Sequence, residues 1–297
     1  MPKKPNITIV GPGRLGTALT LALSQAGFRV HEIVSRERPG SRARARQLAR
    51  TVGANPVSAK EAQFAAHAIW LCVGDYAIRD CAESLARLGS NRWKGKAVFH
   101  SSGALASDEL DALRRQGAHV ASVHPMMSFV HAAKPSLAGV TFAVEGDPAA
   151  VRLARNIVSD LHGSVISIPG ETKSLYHAWG AFASPLIVAE LAVADRIARE
   201  IGMTPAKARK TLAPILRQTL ENYLVHGPAA AFSGPIVRGD VETVRRHLKV
   251  LDKVPQAREV YLALARAAMR ELPSRRKAQL QRALGVGESR KRKIGKV

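Results

Sequence analysis

The chain has little that would build a disulfide framework, a metal site or a membrane span. Its 297 residues include two cysteines, Cys72 and Cys81, nine positions apart. That spacing fits neither a disulfide framework nor a metal site, so we expect two buried thiols. No apolar run reaches the roughly 18 residues that a membrane-spanning helix needs. No apolar signal region precedes the strand-like residues 7–10, so we expect a cytoplasmic protein.

Acidic residues are also scarce, with 23 acids against 45 bases and a net charge of +22. The excess is concentrated: residues 36–50 hold six arginines and one acid, and residues 270–297 hold ten bases and two acids. Basic segments can bind phosphate backbones without sequence specificity. The basic end, however, contains no aromatic residue that could stack on bases. We therefore interpret it as solvated surface, and nucleic-acid binding stays the less favoured alternative.

Short apolar runs alternate with helical patterns through the first half of the chain. Such alternation predicts an α/β fold, a doubly wound and mainly parallel Rossmann sheet. After the Pro-Gly pair at 169–170 only helical patterns follow. We therefore predict a dinucleotide-binding domain at residues 1–170 and an all-helical second domain at 171–297. The predicted strands are 7–10, 29–34, 54–57, 68–73, 97–100, 120–123, 141–144 and 165–168.

The second half is predicted to contain four helices and one Gly/Pro-rich loop. The first helix, 171–201, is long and apolar, and Pro185 should kink it. The loop, 232–240, ends at Asp240, which is a good N-cap residue. The other helices are predicted at 205–224, 241–251 and 256–271.

The sequence Gly-Pro-Gly-Arg-Leu-Gly follows the first predicted strand and opens a helix. In this pattern Gly11 allows a tight turn, Gly13 lets the backbone approach a pyrophosphate, and Gly16 lets the helix pack on the strand. The first helical residues, Arg14 and Leu15, would present free N–H groups to the phosphates. The motif predicts a dinucleotide site, and a purely structural glycine turn is the alternative.

The end of the second strand distinguishes the two nicotinamide dinucleotides. An NAD site usually places an acid about 20 residues beyond the fingerprint, where it binds the ribose hydroxyls. Here Ser35 stands at that position and Arg36 follows it, and both can bind the extra phosphate of NADP. Hydrogen bonds to charged groups contribute about 1.5–3 kcal/mol each, so we expect NADP rather than NAD. The neighbouring Glu37 could reach a ribose and keeps NAD open.

Three later strand ends should line the same crevice, because ligands bind outside the carboxyl ends of parallel strands. They carry Gly74 and Asp75 after the fourth main strand, Ser101 and Ser102 after the next, and His124 after the one that follows. Turn chemistry alone can also explain the glycine and aspartate, and a structural role is the alternative for the histidine.

Several motifs, taken in order, resemble the bacterial proteins that join a Rossmann-like domain to the domain of unknown function 2520. The resemblance covers roughly residues 5–270 and implies a first domain of the coenzyme-F420-dependent NADP oxidoreductase type. It also implies a helical second domain like that of 6-phosphogluconate dehydrogenase, which commonly mediates dimers. The family has no agreed substrate. Its motifs lie here at residues 11–16, 100–105, 122–126, 144–147, 173–178 and 234–240.

One position departs from the family pattern. Relatives usually carry Asn in an Ala-Ser-Asn run after the Lys-x-x-Tyr-His motif, whereas this chain has Pro185. Proline supplies no polar side chain, so the substrate contact that the Asn would make is missing. This departure favours an alternative function, that of a non-catalytic NADP(H)-binding sensor or regulator.

Candidate catalytic residues follow from the same resemblance. In hydroxyacid dehydrogenases and ketopantoate-type reductases a lysine and a polar residue four positions later share the first helix beyond the Rossmann domain. Lys173 and His177 have that spacing and would lie on one helical face. Reduction of C=O or C=N needs a proton donor, and we predict that this pair supplies it, with Tyr176 donating or orienting. A surface lysine and ordinary helix packing are the alternatives.

The sequence also predicts a substrate contact and a homodimer. Arg238 offers a guanidinium that could bind a carboxylate or phosphate of a small-molecule substrate, although a salt bridge to Asp240 explains it equally well. Apolar positions along residues 186–197 exceed what one small domain can cover and predict a homodimer. The favoured function is an NADP(H)-dependent oxidoreductase acting on a small carbonyl or imine.

Overall fold

The computed structural model describes residues 4–130, 136–254 and 256–285. The basic cluster at 290–293 lies outside these residues. The chain divides into two compact units, Met1–Ser184 and Pro185–Val297. The helix after residue 170 belongs to the first unit, and the predicted domain boundary at 170 stays a prediction. Within the described residues no helix has the length and apolar character needed to cross a membrane.

The first unit is built on an eight-stranded sheet with the order β3-β2-β1-β4-β5-β6-β7-β8. Neighbouring strands are parallel except β6 and β7, which pair antiparallel. The order β3-β2-β1-β4-β5-β6 is that of a Rossmann sheet, whose ligand crevice opens between β1 and β4. The strands are β1 (Ile7–Val10), β2 (Val30–Ser35), β3 (Asn55–Ser58), β4 (Ala68–Leu71), β5 (Ala97–His100), β6 (His119–Pro125), β7 (Thr141–Gly146) and β8 (Ser164–Ser167).

Helices cover both faces of this sheet, so its central strands are buried on both sides. In β4, Trp70 packs into one hydrophobic core and Ile69 into the other. Strands buried on both faces need apolar residues at nearly every position, which is why these runs are continuous rather than alternating. The helices of this unit are α1 (Arg14–Gln25), α2 (Pro39–Val52), α3 (Ile78–Ala86), α4 (Asp111–Arg114), α5 (Pro148–Asp160) and α6 (Lys173–Ala183).

The second unit is helical, as predicted, with two small cores. One core contains Val244, Leu248 and Met269, and the other contains Leu251 and Val254. Its helices are α7 (Pro185–Glu200), α8 (Pro205–Ala231), α9 (Pro235–Arg238), α10 (Val241–Leu251), α11 (Ala257–Glu271) and α12 (Lys277–Ala283).

Several element predictions were wrong in detail. The helix predicted as kinked at Pro185 is broken there into α6 and α7, because Ser184 leaves helical geometry (φ −137°, ψ −85°) before a proline that cannot continue the hydrogen bonding. The helix predicted at 205–224 runs on past Gly227, whose own backbone is not helical. The loop predicted at 232–240 contains α9, and α12 was not predicted. Cys72 is buried as predicted, but Cys81 is only half-buried.

Candidate functional site

The glycine-rich loop joins β1 to α1 and has the geometry that the fingerprint predicts. Gly11 has φ +101°, and a Cβ there would lie 2.6 Å from the carbonyl oxygen of Cys72. A Cβ on Gly16 would overlap the carbonyl oxygen of Gly11. Gly13 is exposed and supplies no side-chain cap to α1, so the first N–H groups of the helix stay available to an anion. The loop therefore fits a dinucleotide pyrophosphate.

A cleft of about 690 Å³ extends from this loop along the ends of β1, β2 and β4. Gly11 and Gly13 line one end, while Ser35 and Arg36 line the wall. The cleft continues over α2 and α3, and the further lining residues include Arg38, Gly40, Ser41, Arg44, Gly74, Asp80, Cys81 and Ser84.

The wall beside β2 is positively charged. Arg36, Arg38 and Arg44 line it, and none of the three forms an ion pair with a carboxylate within residues 4–130, 136–254 and 256–285. The acid in the lining is Asp80, on α3. Three guanidinium groups without a carboxylate partner in the described residues suit the additional phosphate that NADP carries on its ribose.

The acids closest in sequence to the end of β2, Glu32 and Glu37, do not line the cleft. Glu37, which kept NAD open in the sequence analysis, is exposed and does not line the cleft. Glu32 is buried in β2, and its carboxylate accepts hydrogen bonds from the backbone N–H groups of Gln63 and Phe64 at 2.8 and 3.0 Å. Glu32 therefore anchors the segment after β3 and is not available to a ribose.

A hydrogen-bond network joins the ends of β4 and β5. The Ser102 hydroxyl donates to Asp75 Oδ2 at 2.8 Å and accepts from the N–H of Leu105 at 2.9 Å. The buried His100 accepts at Nδ1 from Ser102 N–H and lies 3.0 Å at Nε2 from Ala106 O. Burial, reinforced by the charge of Lys173, lowers the pKa of His100 to about 4. The network fixes the loop 101–106 around a neutral imidazole.

Lys173 begins α6 but lies inside the unit, with 1% of its surface exposed. Its Nζ donates to the carbonyl oxygen of Ser102 at 2.8 Å and to the hydroxyl of Ser122. Burial lowers the pKa of Lys173 to about 8, and the carboxylates of Glu145 and Asp75 oppose that shift. The amine therefore links α6 to the loop after β5 and to β6.

His124, Tyr176 and His177 form a second cluster around Gly103. His124 Nδ1 lies 2.9 Å from the Tyr176 hydroxyl, and its ring stands edge-on to that of His177 with centroids 6.0 Å apart. A Cβ on Gly103 would lie 2.6 Å from His177 Cδ2 and 2.9 Å from His124 Nε2. His124 lies within β6 rather than after it, because β6 extends to Pro125 by pairing with β7.

The predicted site residues divide between the cleft and these two networks. The cleft is lined by Gly11, Gly13, Ser35, Arg36 and Gly74, and the networks contain Asp75, Ser102, His124, Lys173, Tyr176 and His177. The side chain of Arg14, in contrast, donates to Phe129 O at 3.2 Å and does not line the cleft. The Ser101 hydroxyl accepts from Trp70 Nε1 and donates to Val123 O, both at 2.8 Å, and thus ties strands together. Arg238 belongs to the second unit, where Asp240 caps α10 through Thr243 N, and its predicted substrate contact stays a prediction.

Sequence reasoning missed several residues of the site. Arg38, Ser41 and Arg44 were not proposed as site residues, although Ser41 and Arg44 lie three apart on α2 and share a face. Gly103 was not proposed as a site residue, and it does not have the positive φ that would require glycine in a turn. At Gly103 the two imidazoles exclude a Cβ, a long-range reason with no local signal.

Family profiles match the chain in two parts. A Rossmann-like domain matches residues 1–125, and the domain of unknown function DUF2520 matches residues 140–268. These are the two domains whose combination the sequence motifs resemble. No curated protein matches it.

Solved structures share the fold over most of the chain. A proposed NADP oxidoreductase from Bacteroides fragilis is 21% identical, with a TM-score of 0.74 over 89% of this chain and 97% of that one. Protein TM1727 from Thermotoga maritima is 22% identical, with a TM-score of 0.69 over 94% and 98%. An imine reductase from Myxococcus stipitatus, solved with NADP+, is 19% identical, with a TM-score of 0.66 over 90% and 94%. At these identities the likeness establishes the fold.

Proposed function

We propose that this protein is an NADP(H)-dependent oxidoreductase that reduces a small carbonyl or imine. The observation that carries the proposal is one of placement. A cleft suited to a dinucleotide and a cluster of histidine, tyrosine and lysine side chains lie at the carboxyl ends of adjacent strands of one sheet. Ligands of doubly wound sheets bind at this edge. The imine reductase and the reductive aminase from Aspergillus terreus, solved with NADP+ and NADPH4, support the same reaction class.

The cofactor assignment rests on the chain's own residues. The N–H groups at the start of α1 would hold the pyrophosphate, and Arg36, Arg38 and Arg44 would hold the additional phosphate of NADP. When bound, the reduced nicotinamide supplies hydride. The loop 101–106 and the cluster around Gly103 would then orient the substrate and stabilise charge on its oxygen or nitrogen.

Cofactor titration tests the first half of the proposal. We expect NADPH to bind at least tenfold more tightly than NADH, because one or two charged hydrogen bonds contribute about 1.5–3 kcal/mol each. Arg44→Ala should weaken NADPH binding and leave NADH binding nearly unchanged, and Arg36→Glu should narrow or invert the preference. Arg46→Ala is the matched control, since Arg46 is exposed on α2 but does not line the cleft. Equal affinities of the wild type for the two cofactors would contradict the assignment.

A turnover assay tests the second half of the proposal, that the protein reduces a small carbonyl or imine. Oxidation of NADPH in the presence of a panel of small ketones, aldehydes and cyclic imines should identify at least one substrate. Tight NADPH binding without oxidation across the panel would favour the alternative, a protein in which the dinucleotide sets a conformation without catalysis. The replacement of the family's usual Asn by Pro185 is the observation that keeps this alternative.

A further inference from the structure

His124 is held at one ring nitrogen and open at the other. Nδ1 lies 2.9 Å from the Tyr176 hydroxyl, and the Tyr176 ring stands at 87° to the imidazole with centroids 5.6 Å apart. Tyr176 is itself buried, with 8% of its surface exposed. In the described parts of the chain Nε2 has no hydrogen-bond partner. It is also not fully buried. The ring is therefore fixed with Nε2 accessible.

Gly103 packs directly against that nitrogen. A Cβ at residue 103 would lie 2.9 Å from Nε2 and 2.6 Å from His177 Cδ2, and both distances are shorter than van der Waals contact. Its φ is not positive, so glycine is not required there for backbone reasons. A side chain at residue 103 would cover Nε2, whereas glycine leaves the accessible part of this nitrogen uncovered.

The protonation states are set by the surroundings. Burial, with the neighbouring charges of Lys173 and His177, lowers the pKa of His124 to about 4. Burial also raises the pKa of Tyr176 to about 12. A neutral imidazole carries one proton, and its hydrogen-bond partner decides which nitrogen bears it. If the phenol donates to Nδ1, the proton of His124 is on Nε2.

We propose, on the basis of the function proposed above, that the Nε2–H of His124 donates a hydrogen bond to the oxygen or nitrogen of the bond being reduced. Tyr176 is then the positioning residue that fixes the tautomer. Hydride addition to a carbonyl carbon breaks the C=O π bond and leaves charge on oxygen, which a neutral N–H donor stabilises without losing its proton. The proton that completes the alcohol comes from water. A protonated imine needs no further proton, and a neutral donor does not repel it.

Lys173 acts in this scheme as a second positioning residue rather than as the proton donor predicted from the sequence. Its Nζ is buried and bonded to Ser102 O and to Ser122. Ser102 precedes Gly103, and Ser122 lies two residues from His124 on the same side of β6. The amine thus holds together the two chain segments that flank Nε2.

Substitution of His124 tests the inference directly. We expect His124→Leu to reduce kcat/KM by about 10²–10³, the usual loss when one oxyanion donor is removed, while NADPH affinity changes less than twofold. His124→Gln places an N–H near the position of Nε2 and should recover at least tenfold of that loss. His119→Leu is the matched control, because His119 is exposed at the start of the same strand. An effect of His124→Leu below threefold would overturn the proposal.

A spectroscopic measurement tests it without any substrate. With ¹⁵N-labelled histidine, the His124 shifts should report the Nε2–H tautomer, and Tyr176→Phe should shift them toward a mixture. Lys173→Met should raise the pKa of His124, because it removes a positive charge that lowers this pKa. Lys173, Tyr176 and His177 are the titratable groups of α6 beside His124. An Nδ1–H tautomer in the wild type would also overturn the proposal. A wild type that binds no NADPH, or turns over nothing, counts against the proposed function instead.

Discussion

The two units differ in how much of their apolar surface they bury. In the sheet unit all four positions of β1, β4 and β5 are buried. In the helical unit the 16 residues of α7 bury Ala198 alone, and the 27 residues of α8 bury Ala208 alone. The sheet itself therefore has a complete core, whereas α7 and α8 expose apolar side chains that their own unit does not cover. In the first unit α6 does the same through Leu175, Trp179 and Phe182.

The two units also differ in how hydrogen bonds of their polar side chains connect the secondary-structure elements. The sheet unit buries histidine, serine and lysine side chains whose hydrogen bonds connect the ends of three strands to α6. In the helical unit the comparable contacts are local, such as His247 Nδ1 with the Tyr261 hydroxyl at 3.2 Å. Chemistry therefore belongs to the first unit in our interpretation, and association to the second.

The largest effect should come from placing a charge on the exposed apolar surface of α8. Leu224 is 76% exposed, and we propose that it is covered in a homodimer. Burying one leucine from each subunit contributes about 1.5–3 kcal/mol per side chain, so Leu224→Glu should raise the dimer Kd by roughly 10²–10⁴. Light scattering over a concentration series measures this. Gln218→Glu, which adds the same charge at an exposed polar position of α8, should leave the dimer intact. A monomeric wild type at micromolar concentration would contradict the idea.

The next effect is a loss of stability at acid pH that originates in the sheet unit. The pKa of buried His100 is about 4 in the folded protein, below the ordinary 6.5, so the unfolded chain binds the proton more readily. The stabilisation is complete above about pH 6.5 and is lost as pH falls toward 4, by about 3 kcal/mol. His100→Asn should flatten this part of a denaturation-against-pH curve. Exposed His119→Asn should not, and an unchanged slope in His100→Asn would refute the assignment.

The difference between the units also explains which features the sequence could predict. The strands were predictable because a sheet buried on both faces requires continuous apolar runs, and the glycine fingerprint because its turn and phosphate chemistry are local. In contrast, α12 forms in a stretch rich in basic residues, where Leu280 and Leu284 are buried by contacts with other helices. No local rule signals such packing.

The sequence could propose several candidate residues of the site but not their contacts, and their catalytic roles stay predictions. Lys173, Tyr176 and His177 were proposed from the resemblance to hydroxyacid dehydrogenases and ketopantoate-type reductases, in which a lysine and a polar residue have the same spacing on one helix. Sequence rules place lysine at the surface, whereas the carbonyl of Ser102 holds Lys173 inside. The contact of Tyr176 with His124 joins residues 52 positions apart, and only the fold determines it.

A third prediction concerns the glycine loop. A Cβ on Gly16 would overlap the Gly11 carbonyl oxygen, and that backbone atom cannot move aside as a flexible side chain could. We expect Gly16→Ala to lower the free energy of unfolding by about 1–3 kcal/mol, typical of overpacking, and to abolish measurable NADPH binding. Chemical denaturation and cofactor titration measure the two effects. Retention of wild-type affinity would show that the loop does not hold the pyrophosphate.

The smallest expected effect is an increase, rather than a decrease, in the free energy of unfolding. Gly180 lies inside α6, and a Cβ there would meet no atom within 4 Å. Alanine lowers the conformational entropy of the unfolded chain, so Gly180→Ala should stabilise the protein by about 0.4–1 kcal/mol. Urea denaturation alongside Gly16→Ala gives a matched pair of glycine substitutions with opposite expected signs. Destabilisation by Gly180→Ala would mean that another surface packs closely on this side of α6. Association would then not be confined to α7 and α8, and the sheet unit would itself be part of the interface.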